Sequence, residues 1–388
     1  MRILRSHVFQ PLLHGTLRLP APRLPAKIRF RCRAVPAGQP CGLNFSLGFT
    51  VCKGNGRSQS YDFFSDDNAL DQRTGKGLSP PGTSRTGVFR DVGSARGGLF
   101  RAARLFSQWG AKFAPKVIVK RSGQTECEKY SGWHTASDCT EYRVFLEALL
   151  TALGRFLREK GLFERSYFHI SDEPDPDSLE RYRSAAELFH RALPGGKFLN
   201  ALSHAEFFRE GAVQIPVASI NRFEEFTGLD LPERWTYYCV SQWEKVTNQF
   251  MHFPSARNRI FGVLAYIYRL DGFLHWGYNF WSGQLSTFRV DPYRDPCAGR
   301  GFPPGDAFKV YPGPNGEPED SIRHEVFFDA LQDLAALRKL EEKSSRKTVL
   351  NLIRRIFGKL PAMSDYPREA TALLDLRRAV NAFLDTEI

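Results

Sequence analysis

The pattern of hydrophobic and polar positions changes near residue 105 of this 388-residue chain. Before that point Pro, Gly, Ser and Arg are frequent, and apolar residues show no sustained 3.6-residue period. After it, short apolar runs alternate with amphipathic stretches, which is the rhythm of an α/β fold. We therefore predict an irregular segment at 1–104, an alternating domain at 105–320 and helices packed on that domain at 321–388.

Six short runs rich in β-branched or aromatic residues predict the strands of the alternating domain. They are PKVIV (115–119), RSYFHI (165–170), KFLNAL (197–202), VQIPVAS (213–219), WTYYCV (235–240) and GFLHWGY (272–278). Amphipathic periodicity predicts helices between them at 141–161, 177–193 and 256–270. This alternation predicts a TIM-type (β/α)8 barrel with parallel strands.

The order of the runs also predicts what the barrel lacks. If RSYFHI is the fourth of eight strands, the four later runs complete the barrel and PKVIV is the third. The first two strands should then precede residue 105, where we find no βαβα pattern. The sequence therefore predicts a barrel whose first two strands are missing or replaced.

Basic residues are concentrated in the N-terminal quarter. Residues 1–100 hold 15 Lys and Arg against 5 Asp and Glu, whereas the rest of the chain holds 39 against 37. The nearly neutral body does not favour a nucleic-acid-binding protein. Residues 1–104 could form a basic arm for an anionic partner or a small β module. We favour a third interpretation, in which a wrong start or another reading frame has been fused to a truncated domain.

Cysteine spacing and hydropathy limit the remaining classes of protein. The seven cysteines are scattered without a C-x-x-C pair, which argues against a zinc site and against a complete disulfide framework. We expect reduced thiols and neither a metal nor a cofactor. No apolar run of about 18 residues predicts a membrane span. Pro11 and His14 interrupt any signal-peptide core, so a cytoplasmic location is favoured.

An acidic pair, Asp172 and Glu173, directly follows the predicted strand at 165–170. In a parallel barrel the loops at the carboxyl ends of the strands carry the chemistry. Pro174 favours a turn there, so the two carboxyl groups could converge on one substrate. Paired carboxyl groups in different environments can cleave a glycosidic bond. The alternative is a solvated helix start, where carboxylates favour the positive end of the helix dipole.

Further candidates lie near the ends of other predicted strands. His169 could hydrogen-bond a carboxylate or a sugar, or it could be a core histidine. Tyr237 and Tyr238 could offer a hydroxyl group to the substrate or pack in the core. Asp306, on a Gly-rich turn, could bind sugar hydroxyls or only form that turn.

The segment HWGYNFW (275–281) mixes aromatic and polar side chains. Trp276, Tyr278 and Trp281 could stack on the apolar face of a sugar, while Asn279 could bind its hydroxyls. Core packing would explain either tryptophan alone. Because polar residues are interleaved with the aromatic ones, we favour a sugar-binding platform.

Several longer segments carry a resemblance to a known family. They are YFHISDEP, WTYYCVSQWEKVTNQFMHFPSARNRIFGVLAYIYRLDGFLHWGYNFW, GDAFKVYPGP and SIRHEVFFDALQDLAALRKLE, in that order. Together they resemble the catalytic domain of glycoside hydrolase family 123, also described as domain of unknown function 4091. The resemblance covers about residues 105–385 and leaves 1–104 unmatched. It implies a barrel catalytic domain that removes β-linked N-acetylgalactosamine, with retention, from a glycan or glycolipid.

The resemblance also implies roles for the acidic pair. In substrate-assisted catalysis the 2-acetamido oxygen of the sugar is the nucleophile. Glu173 would be the general acid and base, and Asp172 would accept the acetamido N–H. Tyr237 or Tyr238 would then donate a hydrogen bond to the acetamido carbonyl. The alternative function is a truncated, catalytically inactive barrel or a carbohydrate-binding protein.

Overall fold

A computed structural model describes residues 2–4, 16–18, 27–29, 46–52, 58–64, 100–115, 117–119, 128–159, 161–283, 288–314 and 318–385. The chain divides into two compact units. The first unit takes in the described residues from Thr16 to Ile215. The second unit begins at Pro216 and also takes in the short strand Arg2–Leu4.

The strands are numbered in chain order. They are β1 Arg2–Leu4, β2 Thr16–Arg18, β3 Lys27–Arg29, β4 Ser46–Cys52, β5 Ser58–Phe64, β6 Phe100–Arg104, β7 Val117–Val119, β8 Glu128–Ser131, β9 Ser166–His169, β10 Lys197–Leu202, β11 Ile215–Ser219, β12 Trp235–Tyr237, β13 Gly272–Leu274, β14 Val310–Pro312 and β15 Pro318–Asp320.

The helices are numbered in the same way. They are α1 Gln108–Ala111, α2 Thr140–Glu159, α3 Leu179–Ala192, α4 Glu206–Arg209, α5 Ser255–Arg259, α6 Phe261–Ile267, α7 Ile322–Lys343, α8 Arg346–Phe357 and α9 Ala370–Asp385. Three short 3-10 helices span Phe163–Arg165, Pro176–Ser178 and Ile220–Phe226. Among the helices of the described ranges, none combines the length and the apolar content needed to cross a membrane.

In the first unit, β9 lies between β6 and β10, and both neighbours run parallel to it. Every position of β9 is buried, as expected for a parallel strand covered on both faces. Helix α2 buries an apolar stripe that includes Leu146, Leu150 and Leu157, and it packs against α3. Each large apolar side chain buried in this way contributes about 1.5–3 kcal/mol. The strand that carries the acidic pair is therefore anchored in a core.

In the second unit, β12 lies between β11 and β13 in parallel, and β1 pairs in parallel with β13. Helix α6 is buried along almost its whole length and crosses α7 closely. Gly262 makes the crossing possible, because a Cβ there would lie 1.8 Å from the carbonyl oxygen of Ala330. Helix α7 begins at an N-cap, Ser321, whose side chain accepts a hydrogen bond from the backbone N–H of His324.

The predicted α/β class with parallel strands is confirmed in these two units. Five of the six predicted strands coincide with β9 to β13, and the predicted helices are found. The helix predicted at 256–270 is interrupted at Ile260, which separates α5 from α6. A closed eight-stranded barrel is not confirmed. The predicted domain boundaries at 104 and 320 stay a prediction.

One strand assignment was wrong. PKVIV is not the third barrel strand, because β7 pairs antiparallel with β8. The parallel neighbour of β9 is instead β6, which lies before residue 105, where the sequence showed no βαβα pattern. A β-branched run specifies an extended backbone but does not specify its partner. Whether 1–104 is native sequence concerns residues that lie mostly outside the described ones, and it stays a prediction.

Candidate active site

The acidic pair follows β9 and is held by backbone hydrogen bonds from the segment after β6. The N–H of Phe106 donates to the carbonyl of Ile170 at 2.9 Å, and the N–H of Trp109 donates to that of Asp172 at 2.8 Å. These bonds extend the contact between the two chain segments beyond the ends of the strands. They fix the backbone on which both carboxyl groups stand.

The turn itself has a constrained backbone. Glu173 has φ 36°, a positive value that side-chain-bearing residues rarely adopt. Such a conformation costs about 1–3 kcal/mol and persists only where its surroundings enforce it. The helical region begins only at Pro176, with the 3-10 helix that precedes α3. The pair therefore lies before the first helical turn, which does not favour the helix-start interpretation.

Asp172 has a basic group near each carboxylate oxygen. Arg104 Nη2 lies 3.0 Å from Oδ2, and His169 Nε2 lies 3.6 Å from Oδ1. Arg104 ends β6, His169 ends β9, and the two residues are register partners across the parallel pair. The Arg104 guanidinium stabilises the negative charge of Asp172 and orients its carboxylate. The histidine distance is longer than a hydrogen bond.

Tyr182 lies in the core of the same unit, close enough to respond to the charge of Asp172. Burial is the main cause that raises the pKa of the Tyr182 phenol well above its ordinary value, and the charge of Asp172 raises it further. The phenol is therefore neutral at physiological pH. It offers Asp172 no competing negative charge.

Ser171 joins the acidic turn to the loop after β6. Its hydroxyl donates to the carbonyl of Ser107 at 2.7 Å and accepts from the N–H of Ala111 at 2.9 Å. That loop includes the short element α1, which is not a regular right-handed helix, because Trp109, Gly110 and Ala111 have φ values of 56°, 89° and 57°. A single buried hydroxyl thus helps to hold three consecutive residues in the left-handed region.

In the second unit, Asp306 and His275 form a buried polar pair. Asp306 Oδ2 accepts a hydrogen bond from Trp276 Nε1 at 2.9 Å, and Oδ1 lies 3.5 Å from His275 Nε2. His275 Nε2 also lies 3.0 Å from the Gln249 side-chain nitrogen, and Nδ1 lies 2.7 Å from the carbonyl oxygen of Gly277. Burial is the main cause that lowers the pKa of His275, so the ring is neutral.

Tyr238 lies beside this pair and is fully buried. Its ring contacts that of His275 at a centroid distance of 5.5 Å, and its hydroxyl has no hydrogen-bond partner among the described residues. Burial raises the pKa of the Tyr238 phenol, and the charge of Asp306 raises it further. Tyr237, the neighbouring candidate, is also buried.

The four residues of the predicted sugar platform differ in how deeply they are buried. Trp281 is only 6% exposed, and its Nε1 donates to the carbonyl of Val310 at 2.9 Å, which favours the core-packing alternative. Trp276, Tyr278 and Asn279 are half-buried. Their accessible surfaces leave the sugar-binding interpretation open for these three residues.

The two units thus group the predicted site residues separately. The first unit brings together His169, Asp172 and Glu173. The second unit brings Asp306 together with Trp276 and places Tyr238 against His275. The role of each residue stays a prediction. Among the described residues, no group of three or more His, Cys, Asp or Glu side chains is arranged to hold a metal ion.

Sequence reasoning missed four residues around the acidic turn. Arg104 and Ser171 bind it, and two exposed tryptophans, Trp109 and Trp133, lie on neighbouring loops. The sequence offered one signal for the first tryptophan, because Trp109 is followed directly by Gly110. A Trp-Gly pair inside a polar loop indicates a turn that exposes a large apolar ring.

Comparisons with known proteins agree with this fold. Residues 94–340 match the family model described as glycoside hydrolase 123, catalytic domain. No curated protein matches the chain. A solved structure that matches is described as "The details of glycolipid glycan hydrolysis by the structural analysis of a family 123 glycoside hydrolase from Clostridium perfringens".

That structure is 15% identical to this chain, with a TM-score of 0.50, and it supports the fold alone. The match covers 74% of this chain and 51% of the other, so the chain spans about half the length of that protein. The resemblance inferred from the sequence is confirmed, and most of the segment 1–104 lies outside the match. Because the family model covers more than half of the chain, this protein belongs to glycoside hydrolase family 123.

Proposed function

We propose that this protein removes a β-linked N-acetylhexosamine from a glycan or glycolipid with retention of configuration. The preferred sugar in this proposal is N-acetylgalactosamine. Membership of a glycoside hydrolase family supports the reaction class. The Clostridium perfringens family 123 enzyme is described as hydrolysing glycolipid glycans, which supports the substrate class. The observation that carries the proposal is the 3.0 Å ion pair between Arg104 and Asp172 beside Glu173.

The ion pair matters because the two carboxyl groups need different protonation states. Asp172 is held beside a guanidinium and is therefore suited to remain a carboxylate. Glu173 is the next residue in the chain. It is half-buried and has a constrained backbone, and in this position it can serve as a proton donor. Two carboxyl groups that differ in this way can divide the acid and the orienting roles between them.

The first step forms an oxazolinium-like intermediate. The acetamido oxygen of the sugar attacks the anomeric carbon, and the glycosidic C–O bond breaks as Glu173 gives its proton to the leaving oxygen. Asp172 accepts a hydrogen bond from the acetamido N–H. The ion pair with Arg104 at Oδ2 orients the carboxylate that accepts this bond.

The second step releases the sugar. The Glu173 carboxylate takes a proton from a water molecule, whose oxygen attacks the anomeric carbon. The bond from that carbon to the acetamido oxygen breaks, and Glu173 is again protonated. Two displacements at one carbon give net retention.

The experiment compares the wild type with Glu173→Gln on two N-acetyl-β-galactosaminides. We expect the substitution to lower kcat by about 10²- to 10⁴-fold on a methyl glycoside, because an alkoxide cannot leave without a proton. The loss in forming the intermediate should be smaller on a 4-nitrophenyl glycoside, whose leaving group needs little protonation. Asp177→Asn is the matched control, because this nearby carboxylate is exposed, and it should behave as the wild type.

Equal turnover by the wild type and Glu173→Gln would contradict the assignment of Glu173 as the general acid. If the wild type turned over neither N-acetyl-β-galactosaminides nor N-acetyl-β-glucosaminides, the proposal that this protein is an enzyme would be contradicted. In that case, binding of N-acetylgalactosamine measured by calorimetry would favour a carbohydrate-binding protein, and no binding would favour an inactive barrel.

A further inference from the structure

Two tryptophans stand exposed on the surface of the first unit. Trp109 is 55% exposed and Trp133 is 39% exposed. Their ring centroids lie 6.3 Å apart, and the ring planes are inclined by 66°, so the edge of one ring meets the face of the other. Exposed aromatic clusters of this kind are typical of binding sites.

The backbone that carries Trp109 has a strained conformation. Trp109 and Ala111 have positive φ values of 56° and 57°, on either side of Gly110 at 89°. Left-handed conformations at side-chain-bearing residues persist where the surroundings enforce them, and they cluster at ligand-binding sites. This strained run buries Ala111 completely, whereas it leaves the large apolar ring of Trp109 in solvent.

The loop of Trp109 is fixed to the acidic turn. The N–H of Trp109 donates to the carbonyl of Asp172 at 2.8 Å, and Ser171 bridges the same two segments. Gly110 lies directly against Ser178, since a Cβ on Gly110 would be 2.3 Å from the Ser178 Cβ. The ring of Trp109 is thus attached to the backbone that presents both candidate catalytic carboxyl groups.

The loop of Trp133 is joined to the same structure. The N–H of Ala114 donates to the carbonyl of Thr135 at 2.9 Å, and the N–H of Ser137 donates to that of Lys112 at 3.1 Å. The Ser131 hydroxyl donates to the carbonyl of Pro115 at 2.9 Å. Three hydrogen bonds therefore connect the two loops and preserve the arrangement of the two rings.

We propose that Trp109 and Trp133 form an aromatic subsite for a pyranose ring on the leaving-group side of the scissile bond. This proposal rests on the proposed function. The C–H faces of pyranoses pack on aromatic rings, and two inclined rings can contact a sugar on its face and its edge. The terminal sugar must be enclosed with the carboxyl groups during the reaction, whereas the next sugar can stay partly in water. The exposure of both rings fits that second sugar.

The test compares two substrates that share an alkyl leaving group. One is a disaccharide in which N-acetylgalactosamine is β-linked to a second hexose, and the other is the methyl glycoside, which lacks the second ring. We expect Trp109→Ala to lower kcat/KM for the disaccharide by about 10- to 100-fold, mainly through KM. The methyl glycoside should change by less than about threefold. Trp133→Ala should have the same effect to a smaller extent.

Matched variants separate stacking from folding. Trp109→Phe retains a ring and should recover most of the disaccharide activity. Trp243→Ala removes a tryptophan that is exposed to a similar degree, 56%, and should leave both substrates unchanged. If Trp109→Ala lowers both substrates equally, or lowers neither, the leaving-group subsite is wrong. If Trp109→Ala fails to fold, Trp109→Phe and Trp133→Ala decide in the same way.

A binding measurement keeps this proposal distinct from the proposed function. Titrating the disaccharide into Glu173→Gln should shift the tryptophan fluorescence, and adding Trp109→Ala should reduce that shift and raise the disaccharide concentration at half-saturation, whereas N-acetylgalactosamine alone should bind both variants equally. This result can be obtained even if the wild type hydrolyses nothing. A shift of unchanged size and half-saturation without Trp109 and Trp133 would overturn the subsite, independently of whether the protein hydrolyses glycosides.

Discussion

The acidic turn of the first unit and the polar cluster of the second unit, which contains Tyr238, His275 and Asp306, both include an aspartate and a histidine but differ in environment. The acidic turn is half-buried, on strained backbone, and held by an ion pair and backbone hydrogen bonds. The cluster of the second unit lies in its core. A residue that contacts substrate must be reachable, so the two regions differ in what their side chains can do.

Two tryptophans, Trp281 and Trp109, show this difference between a buried and an exposed environment. Trp281 looked like part of a sugar platform in the sequence, yet its ring is buried and bonded to the core. Trp109 was not predicted as a site residue, yet its ring is exposed on a loop whose backbone bonds the acidic turn. Exposure therefore separates the residues that can bind a sugar from those that support the fold.

The largest expected effect tests the buried tryptophan. Trp281→Ala should lower the free energy of unfolding by about 3–5 kcal/mol, because it opens a cavity and leaves the Val310 carbonyl without its donor. Trp109→Ala should change it by less than about 0.5 kcal/mol, since that ring is exposed. Urea unfolding of both variants measures the contrast. A Trp281→Ala protein of normal stability that has lost only sugar binding would break the comparison.

A smaller effect tests the strain in the loop before the acidic turn. Gly110→Ala should cost about 2–4 kcal/mol, because a left-handed alanine is strained and its Cβ would collide with Ser178. Gly161→Ala is the matched control, as its φ is 65° but nothing lies within 4 Å, so it should cost about 1–2 kcal/mol. Thermal unfolding measures both changes. Equal costs would mean that the contact with Ser178 is not restrictive.

Gly110→Ala should also affect catalysis if the acidic turn is the active site. Any shift of the loop moves the N–H that bonds the Asp172 carbonyl. We expect a loss of kcat in the glycosidase assay for Gly110→Ala and none for Gly161→Ala. Unchanged kcat in a measurably destabilised Gly110→Ala protein would separate the loop from the chemistry.

The smallest effect concerns the buried histidine of the second unit. Burial lowers the pKa of His275, so the unfolded chain binds this proton more readily than the folded protein does. Stability should therefore fall as pH decreases below about 6.5, by at most about 1.4 kcal/mol per pH unit from this group. Urea unfolding at pH 5.5 and 7.5 should show a weaker pH dependence in His275→Gln than in the wild type.

A second histidine provides the control for that measurement. Burial also lowers the pKa of His190, although this side chain is partly exposed. His190→Gln should therefore remove a smaller part of the pH dependence than His275→Gln. The reverse order would mean that the buried cluster does not hold its histidine neutral.

The elements that could be predicted from the sequence are those whose hydrophobic residues repeat with a regular local period. Strand β10 was predicted at its observed bounds, and α2 within two residues, because burial of a run or a stripe leaves a local period in the sequence. Strand β6 was missed because FRAAR is short and follows a Gly- and Arg-rich stretch. The antiparallel partner of β7 was missed because strand pairing depends on residues outside the run.

The candidate site shows the same limit of local pattern. Asp172 and Glu173 could be found because they follow a recognisable strand and lie in a family motif. The exposure of Trp109 depends on left-handed residues that no period indicates, and the burial of Trp281 depends on Val310, 29 positions away. Arg104 reaches Asp172 only through the pairing of β6 with β9.

The irregularity in that pairing bears on how the proposed activity could be lost. Arg101 pairs with Tyr167, yet Arg104 pairs with His169, so β6 contains one residue more than a regular ladder requires. In a regular ladder Ala103 would stand opposite His169 in place of the arginine. A one-residue slip of the end of β6 that closes this bulge would therefore leave the sheet and both carboxyl groups in place while moving the cation one position past His169. A change of register in β6 could in this way abolish the proposed catalysis with every residue of the acidic motif unchanged.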